Sequence, residues 1–458
     1  RLTNGVVSGF PPEHDLAKSN LNTVMEDADG NVWIGTYTSQ GLMCLRNGAF
    51  VPFGVSEGLP GDVVFGVVEG QGAAQSTSGS QGKTLWFACY GGIARLERPS
   101  GIVTRFMPGG AEKQQAVGNL VRALVRRRDG SVWAATYGAG VFRFDGTTFV
   151  SALSTKNGLS NDAVRALHED ANGTLWSGTR NGLTSMTASG ALRTYTTQDG
   201  LPNNSIMNLF EDSRGGLWIA TDGGGVLRMQ GDSKVLYSVK NGLAADVVFS
   251  LREDNSGAIW IGTNSGLTRI KNDRLTSIRA KDGLPNENVY QIVSDGRGTI
   301  WIGSAVGIFC VDEKQLNALM DAKEAGQTVP LDYKMFGKSD GMRAVDCTVP
   351  VQIYKTETGI WFPTLKGALF LDATHHASAP VPPVYIQSMV YDGVSAALDS
   401  AFTIPAGARQ FSIDYTALCF DGIDKVRFKY RLLGIDNDWF DAGQRRTAYY
   451  TKDRKSVV

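Results

Sequence analysis

Carboxylate pairs are the residues in this sequence best suited to chemistry. Glu26/Asp27, Glu169/Asp170, Glu211/Asp212 and Glu253/Asp254 each set two acids side by side, the inventory for general acid and base work on a glycosidic bond. A catalytic pair is needed once. This one recurs at the same place in four repeats, so the pattern predicts acceptors for the backbone N–H groups of a turn. The segments DADG at 27–30 and DANG at 170–173 are too short for an EF-hand-type calcium loop. His14, His168, His375 and His376 form neither HxxxH nor HExxH, so no metal site is expected. The sequence holds no phosphate-binding loop, and GGG at 223–225 fills a repeated turn. No catalytic residue and no cofactor is expected.

One position varies inside a fixed frame. Directly after a Trp-centred run the repeats carry Tyr37, Tyr90, Tyr137, Arg180, Asp222, Asn264, Ala305 and Leu365. Aromatic plates beside Arg, Asp and Asn suit a small-molecule or oligosaccharide ligand. Ordinary turn solvation accounts for the same residue types. The expected ligand-binding set is Tyr37, Tyr90, Tyr137, Arg180, Asp222 and Asn264.

The elements that position these residues come from a repeat. Trp33, Trp86, Trp133, Trp176, Trp218, Trp260, Trp301 and Trp361 are separated by 53, 47, 43, 42, 42, 41 and 60 residues, so a unit of about 42 residues recurs with two insertions. Each unit holds short apolar runs bounded by Gly, Asn and Asp, which predicts four antiparallel strands. Such a sheet cannot bury both faces alone, whereas a ring of them packs face against face. The fold class is therefore all-β: a β-propeller with the indole on the second strand, between adjacent blades. In a propeller, the turn after the second strand lies on the same face as the turn leading into each blade, so the variable positions are expected to ring the axis. A Gly-Leu pair 18 residues before the Trp, at Gly158, Gly200, Gly242 and Gly283, predicts that lead-in turn.

The insertions differ in kind. Residues 70–82 (GQGAAQSTSGSQG) are of low complexity and predict a surface loop. Residues 312–326 (DEKQLNALMDAKEAG) carry a capping Asp with Gln three residues on, apolar Leu316, Leu319 and Met320, and a terminal Gly. They predict one helix before the last blade.

Composition narrows the partners. Lys+Arg equals Asp+Glu at 45 each, and no basic stripe is present, so nucleic acid is not expected. No apolar stretch reaches the roughly 20 residues of a spanning helix, and any membrane attachment is expected from a segment downstream. The five cysteines are scattered without a CxxC pair and read as small buried hydrophobes.

From 380 the pattern changes to period-2 alternation without Trp repeats, introduced by PVPPVY. It predicts a small antiparallel sandwich over 380–452, incomplete beside the roughly 100 residues such a fold takes. The expected organisation is a propeller over 1–379, that sandwich, and a non-native tail at 453–458 (DRKSVV) on a gene fragment.

The ED-x-x-G-x-LWIGT-x-x-GL pattern, seen at 253–267, and the DGLP turns at 199–202 and 282–285 resemble two-component regulator propeller repeats. Residues 409–450 resemble the tyrosine-motif, or three-Y, sandwich that follows them. The resemblance implies the extracytoplasmic, periplasmic sensor region of a bacterial sensor histidine kinase, responding to an external solute and pairing as a homodimer through the sandwich. It also implies seven blades, with residues 1–60, including the Trp33 unit, left from a preceding propeller; an eight-bladed ring is the alternative. A secreted propeller enzyme acting on polysaccharide and a non-catalytic interaction scaffold are the other readings of the chain.

Overall fold

Runs such as IMNLFE and LWIAT are rich in branched and aromatic side chains, which pack well on a pleated surface. In the computed structural model they form Ile206–Glu211 and Leu217–Thr221, the first two strands of a sheet completed by Val226–Gln230 and Ser233–Tyr237. The structure describes residues 50–70, 84–97, 100–108, 120–327, 329–348, 354–356, 359–372, 384–396, 409–417, 426–436 and 438–451, with short strands before residue 46. The chain divides into two compact units: Gly48–His376, and Arg1–Asn47 together with Ala377–Val458.

Gly48–His376 is a propeller. Among the described residues, six four-stranded antiparallel sheets follow in chain order over 64–106, 121–153, 164–195, 206–237, 248–278 and 289–336, here blades one to six. Blade seven takes three strands from the C-terminal side, Tyr354–Lys355, Gly359–Thr364 and Gly367–Asp372, and its outer strand from Phe50–Phe53. That outer strand pairs Phe53 with Ala368 and Phe50 with Leu371, so chain ends more than 300 residues apart close one sheet. The ring has seven blades. The Trp33 repeat lies in the other unit as a three-stranded sheet of Leu21–Glu26, Val32–Thr36 and Leu42–Leu45.

Each indole of the ring fills the joint with the following blade, as its position on the second strand predicts. Trp218, 2% exposed, packs with Val248, Leu251 and Ile261 of blade five, and Trp361 of blade seven packs with Val64 and Leu85 of blade one. A core cluster of this kind occupies every joint. The Gly-Leu turns feed the same joints. Gly242 ends a single 3-10 turn at φ 109°, where a Cβ is strained, and Leu243 beside it is buried with Trp218.

The helix spans Glu313–Glu324, with Asp312 accepting from the Gln315 amide at 2.9 Å and Leu316, Leu319 and Met320 buried. It sits within blade six, between its third strand Ile308–Asp312 and its fourth Lys334–Phe336. Residues 71–82 of the low-complexity insertion lie outside the described residues.

In the other unit, Val394–Ala396, Val384–Tyr391, Gln410–Ala417 and Thr447–Thr451 form one sheet, and Phe428–Tyr430 with Phe440–Gly443 a second. Tyr415, Phe428 and Ala448 bury between them. Three tyrosine hydroxyls there are hydrogen-bonded: Tyr415 donates to the Arg445 carbonyl, Tyr430 accepts from Arg445, and Tyr450 donates to Asp436.

Candidate functional site

The carboxylate pairs at 169/170, 211/212 and 253/254 are committed to structure, while the side chains of Glu26 and Asp27 lie outside the described residues. Asp212 Oδ2 accepts from Trp218 Nε1 and Arg228 Nε, both at 2.7 Å, while its Oδ1 accepts from the Gly216 amide at 2.8 Å. Burial opposes its charge, but the bonds from Arg228, Trp218 and Gly216 win and hold the carboxyl below its ordinary range. Asp170 and Asp254 likewise accept from Trp176 and Trp260. The glutamates reach back one blade: Glu169 accepts from the Arg128 amide, Glu211 from Ala171 and Glu253 from Ser213, at 2.7, 2.9 and 2.7 Å. Their oxygens are taken up by N–H donors of the same turn and of the preceding blade, so these pairs staple blades. A cavity of about 370 Å³ between the turns of blades four and five is lined by these same groups, including Glu211, Asp212 and Glu253. Among the described residues no group of His, Cys, Asp and Glu could hold a metal ion.

The opposite mouth of the ring is different. On its way in from the lead-in turn, the first strand of blades one to six breaks register by one residue, at Phe65, Arg122, Arg165, Met207, Phe249 and Tyr290. A bulge leaves that residue unpaired and re-aims its side chain. Here neighbouring bulges meet. The Arg122 guanidinium lies 4.4 Å from the Phe65 ring centre, Arg165 Nη1 is 3.0 Å from Met207 Sδ, and the Phe249 and Tyr290 rings meet edge to face at 5.3 Å.

The variable positions sit just beside this band. The amides of Tyr90, Tyr137, Arg180, Asp222 and Asn264 donate to the carbonyls of Val63, Leu120, Ala163, Ser205 and Val247 at the start of their own inner strands. They therefore share one register around the ring. The side chains of three of them are drawn into one cluster. The guanidiniums of Arg122, Arg165 and Arg180 lie 5.7, 5.7 and 5.9 Å from the centre of the Tyr137 ring, and Arg165 Nη1 is 3.4 Å from Asp222 Oδ2. Cation–π distances of this order are attractive. Although burial raises the Tyr137 phenol, a hydrogen bond from Arg165 and the charges of the three arginines hold it below its usual value. Burial, then the charge of Arg165, pulls the Arg122 guanidinium down to about 10.

Tyr90, 60% exposed, and Asn264 make no side-chain contact with that cluster among the described residues. Tyr37 lies outside the described residues. Arg122 and Arg165 escape the sequence argument, which considers only the turn positions. Their signal is a shared VRAL at 121–124 and 164–167, a long cation between Val and Ala on an otherwise apolar inner strand. Below the mouth, inner-strand residues including Leu124, Leu167, Asn208, Ser250 and Gln291 line a cavity of about 310 Å³.

The family model for the two component regulator propeller matches residues 15–38, 158–181, 200–223, 242–265 and 283–305. No curated protein matches the chain in sequence. In structure it is similar to the extracellular domain of BT3049 from B. thetaiotaomicron, described as a hybrid two component system, with a TM-score of 0.69 at 21% identity over 94% of this chain and 57% of that one. The extracellular domain of BT4673 from the same organism, described as a one component system, gives 0.54 at 17% identity over 93% of this chain and 58% of that one. A streptogramin B lyase gives 0.50 at 15% identity over 70% of this chain and 96% of that one. The chain thus spans under three fifths of the two extracellular domains. Likeness at this identity shows the β-propeller fold, and five segments of this chain are two-component regulator propeller repeats.

Proposed function

We propose that the chain is the sensing region of a bacterial two-component signalling protein, exposed outside the cytoplasm, and that the ring mouth around Tyr137 receives an external solute such as an oligosaccharide. The observation that carries this reading is the convergence of Tyr137, Arg180 and Asp222, three variable turn residues, on one cluster with the bulged Arg122 and Arg165. A flat ring edged by fixed donors and one carboxylate stacks on a sugar face and hydrogen-bonds its hydroxyls. The repeats and the two extracellular domains of like fold support the sensing role. In this reading, occupancy biases how the sandwiches of two protomers pair, and a membrane segment carries the bias to a histidine kinase domain.

The test is a thermal-shift and calorimetric screen of the chain against soluble glycans and small solutes, repeated with the Tyr137→Ala, Arg180→Ala double variant. A ligand of the mouth loses at least about tenfold in affinity, near 1.4 kcal/mol. Equal binding of every hit by both proteins would remove the mouth from consideration.

A further inference from the structure

We infer that the ligand of this mouth carries an anionic group, a carboxylate or sulfate, seated by Arg122, Arg165 and Arg180 on the rim of Tyr137. The inference rests on the sensing reading above and specifies the chemistry of its ligand. Three guanidiniums gather within 6 Å of one ring centre, and a carboxylate, Asp222, lies 3.4 Å from Arg165. The chain as a whole is neutral, with 45 basic and 45 acidic residues, so this density of cations is local.

Its construction also favours an anion over a neutral sugar. The Arg165 side chain is only 12% exposed, and its Nη1 is spread over Ser205, Met207 and Asp222 at 3.0, 3.0 and 3.4 Å. Its Nε is buried without a hydrogen-bond partner among the described residues. Arg180 stands exposed above the same ring, which leaves an approach from outside. Like charges held together in a half-buried site repel, and an incoming anion relieves that repulsion while gaining forked N–H donors. The fall of the Arg122 guanidinium to about 10 has the same origin, in burial and in the charge of Arg165. A neutral hydroxyl would leave that repulsion in place.

The anion has two sources, a sugar acid or a free inorganic ion, and three probes separate them at constant ionic strength: trigalacturonate, its methyl ester and inorganic sulfate. Calorimetry on the full chain is expected to show trigalacturonate binding at least tenfold more tightly than the ester. Arg180→Gln, at an exposed site, and Arg165→Met each remove at least tenfold of the acid's affinity and weaken the ester by a clearly smaller factor, so that the preference for acid over ester shrinks. Sulfate bound as tightly as trigalacturonate, and weakened by the same variants, supports the anion seat and assigns it to a free ion. Acid and ester binding alike, or anions binding equally to wild type and Arg180→Gln, overturns the inference; so does no binding of any anion to the wild type. Neither result touches the sensing reading, which falls only if no glycan or solute distinguishes the double variant.

Discussion

At the scale of single residues, the joints that follow blades three, four and five are each organised by one indole and one aspartate. The ring of Trp218 stacks on Tyr237 at 5.3 Å between ring centres and packs on blade five, and its N–H is held by Asp212. Removing it opens a cavity in a joint that the ring cannot collapse without moving a whole sheet. Trp218→Ala is therefore expected to destabilise the protein by about 3–5 kcal/mol, read from the urea midpoint at constant m. An unchanged midpoint would contradict the packing described. The position of this residue is legible in the sequence because a period near 42 with a strand signal leaves the second strand of a closed ring as its one buried place. The role of Asp212 is legible only in part: its recurrence says turn, but nothing in the sequence says that Oδ2 faces the indole while the neighbouring Glu211 faces the previous blade. Alternation alone does not reveal Arg122 and Arg165 as residues of the mouth either. A one-residue bulge reverses which side of the strand a residue faces.

At the scale of elements, the helix Glu313–Glu324 is the one piece that the repeat does not dictate, and it is tied down by a residue from another blade. Arg269 on the third strand of blade five is fully buried and reaches the Asn317 carbonyl and side chain at 3.1 and 2.9 Å, Asp321 at 2.5 Å and Glu324 at 3.0 Å. The capping Asp312 and the spacing of Leu316, Leu319 and Met320 disclose the helix in the sequence. Its docking partner lies 48 to 55 residues away and leaves no local trace. Arg269→Met keeps the stem and removes the charge-assisted bonds, each worth about 1.5–3 kcal/mol, from carboxylates that water can partly re-solvate. The expected loss is about 2–3 kcal/mol, with faster amide exchange confined to the helix and the adjoining strands of blades five and six. Exchange rising equally in blade two would show that the helix is not separately latched.

At the scale of the whole ring, closure depends on a strand that the repeat does not count. Blade seven is complete only when Phe50–Phe53 pairs with Gly367–Asp372, and Phe50, 2% exposed, sets its ring edge-on to Trp301, Phe336 and Phe362 at 6.4, 5.6 and 6.0 Å. The residue thus joins blades six and seven as well as the two ends of the unit. A closed ring has no free edge from which to fray, whereas an open one exposes a strand edge and an apolar face. Phe50→Ala is expected to cost about 3–5 kcal/mol and to concentrate the loss of exchange protection in blades six and seven. Val51, the next residue and 57% exposed, provides the control: Val51→Thr in the same strand should change stability by no more than about 0.5 kcal/mol. If both variants behave alike, side-chain packing at the seam is not what holds the ring shut. If Phe50→Ala instead loosens all seven blades together, closure acts on the ring as one cooperative body, and a ligand bridging blades two to four at the mouth would be felt at the seam.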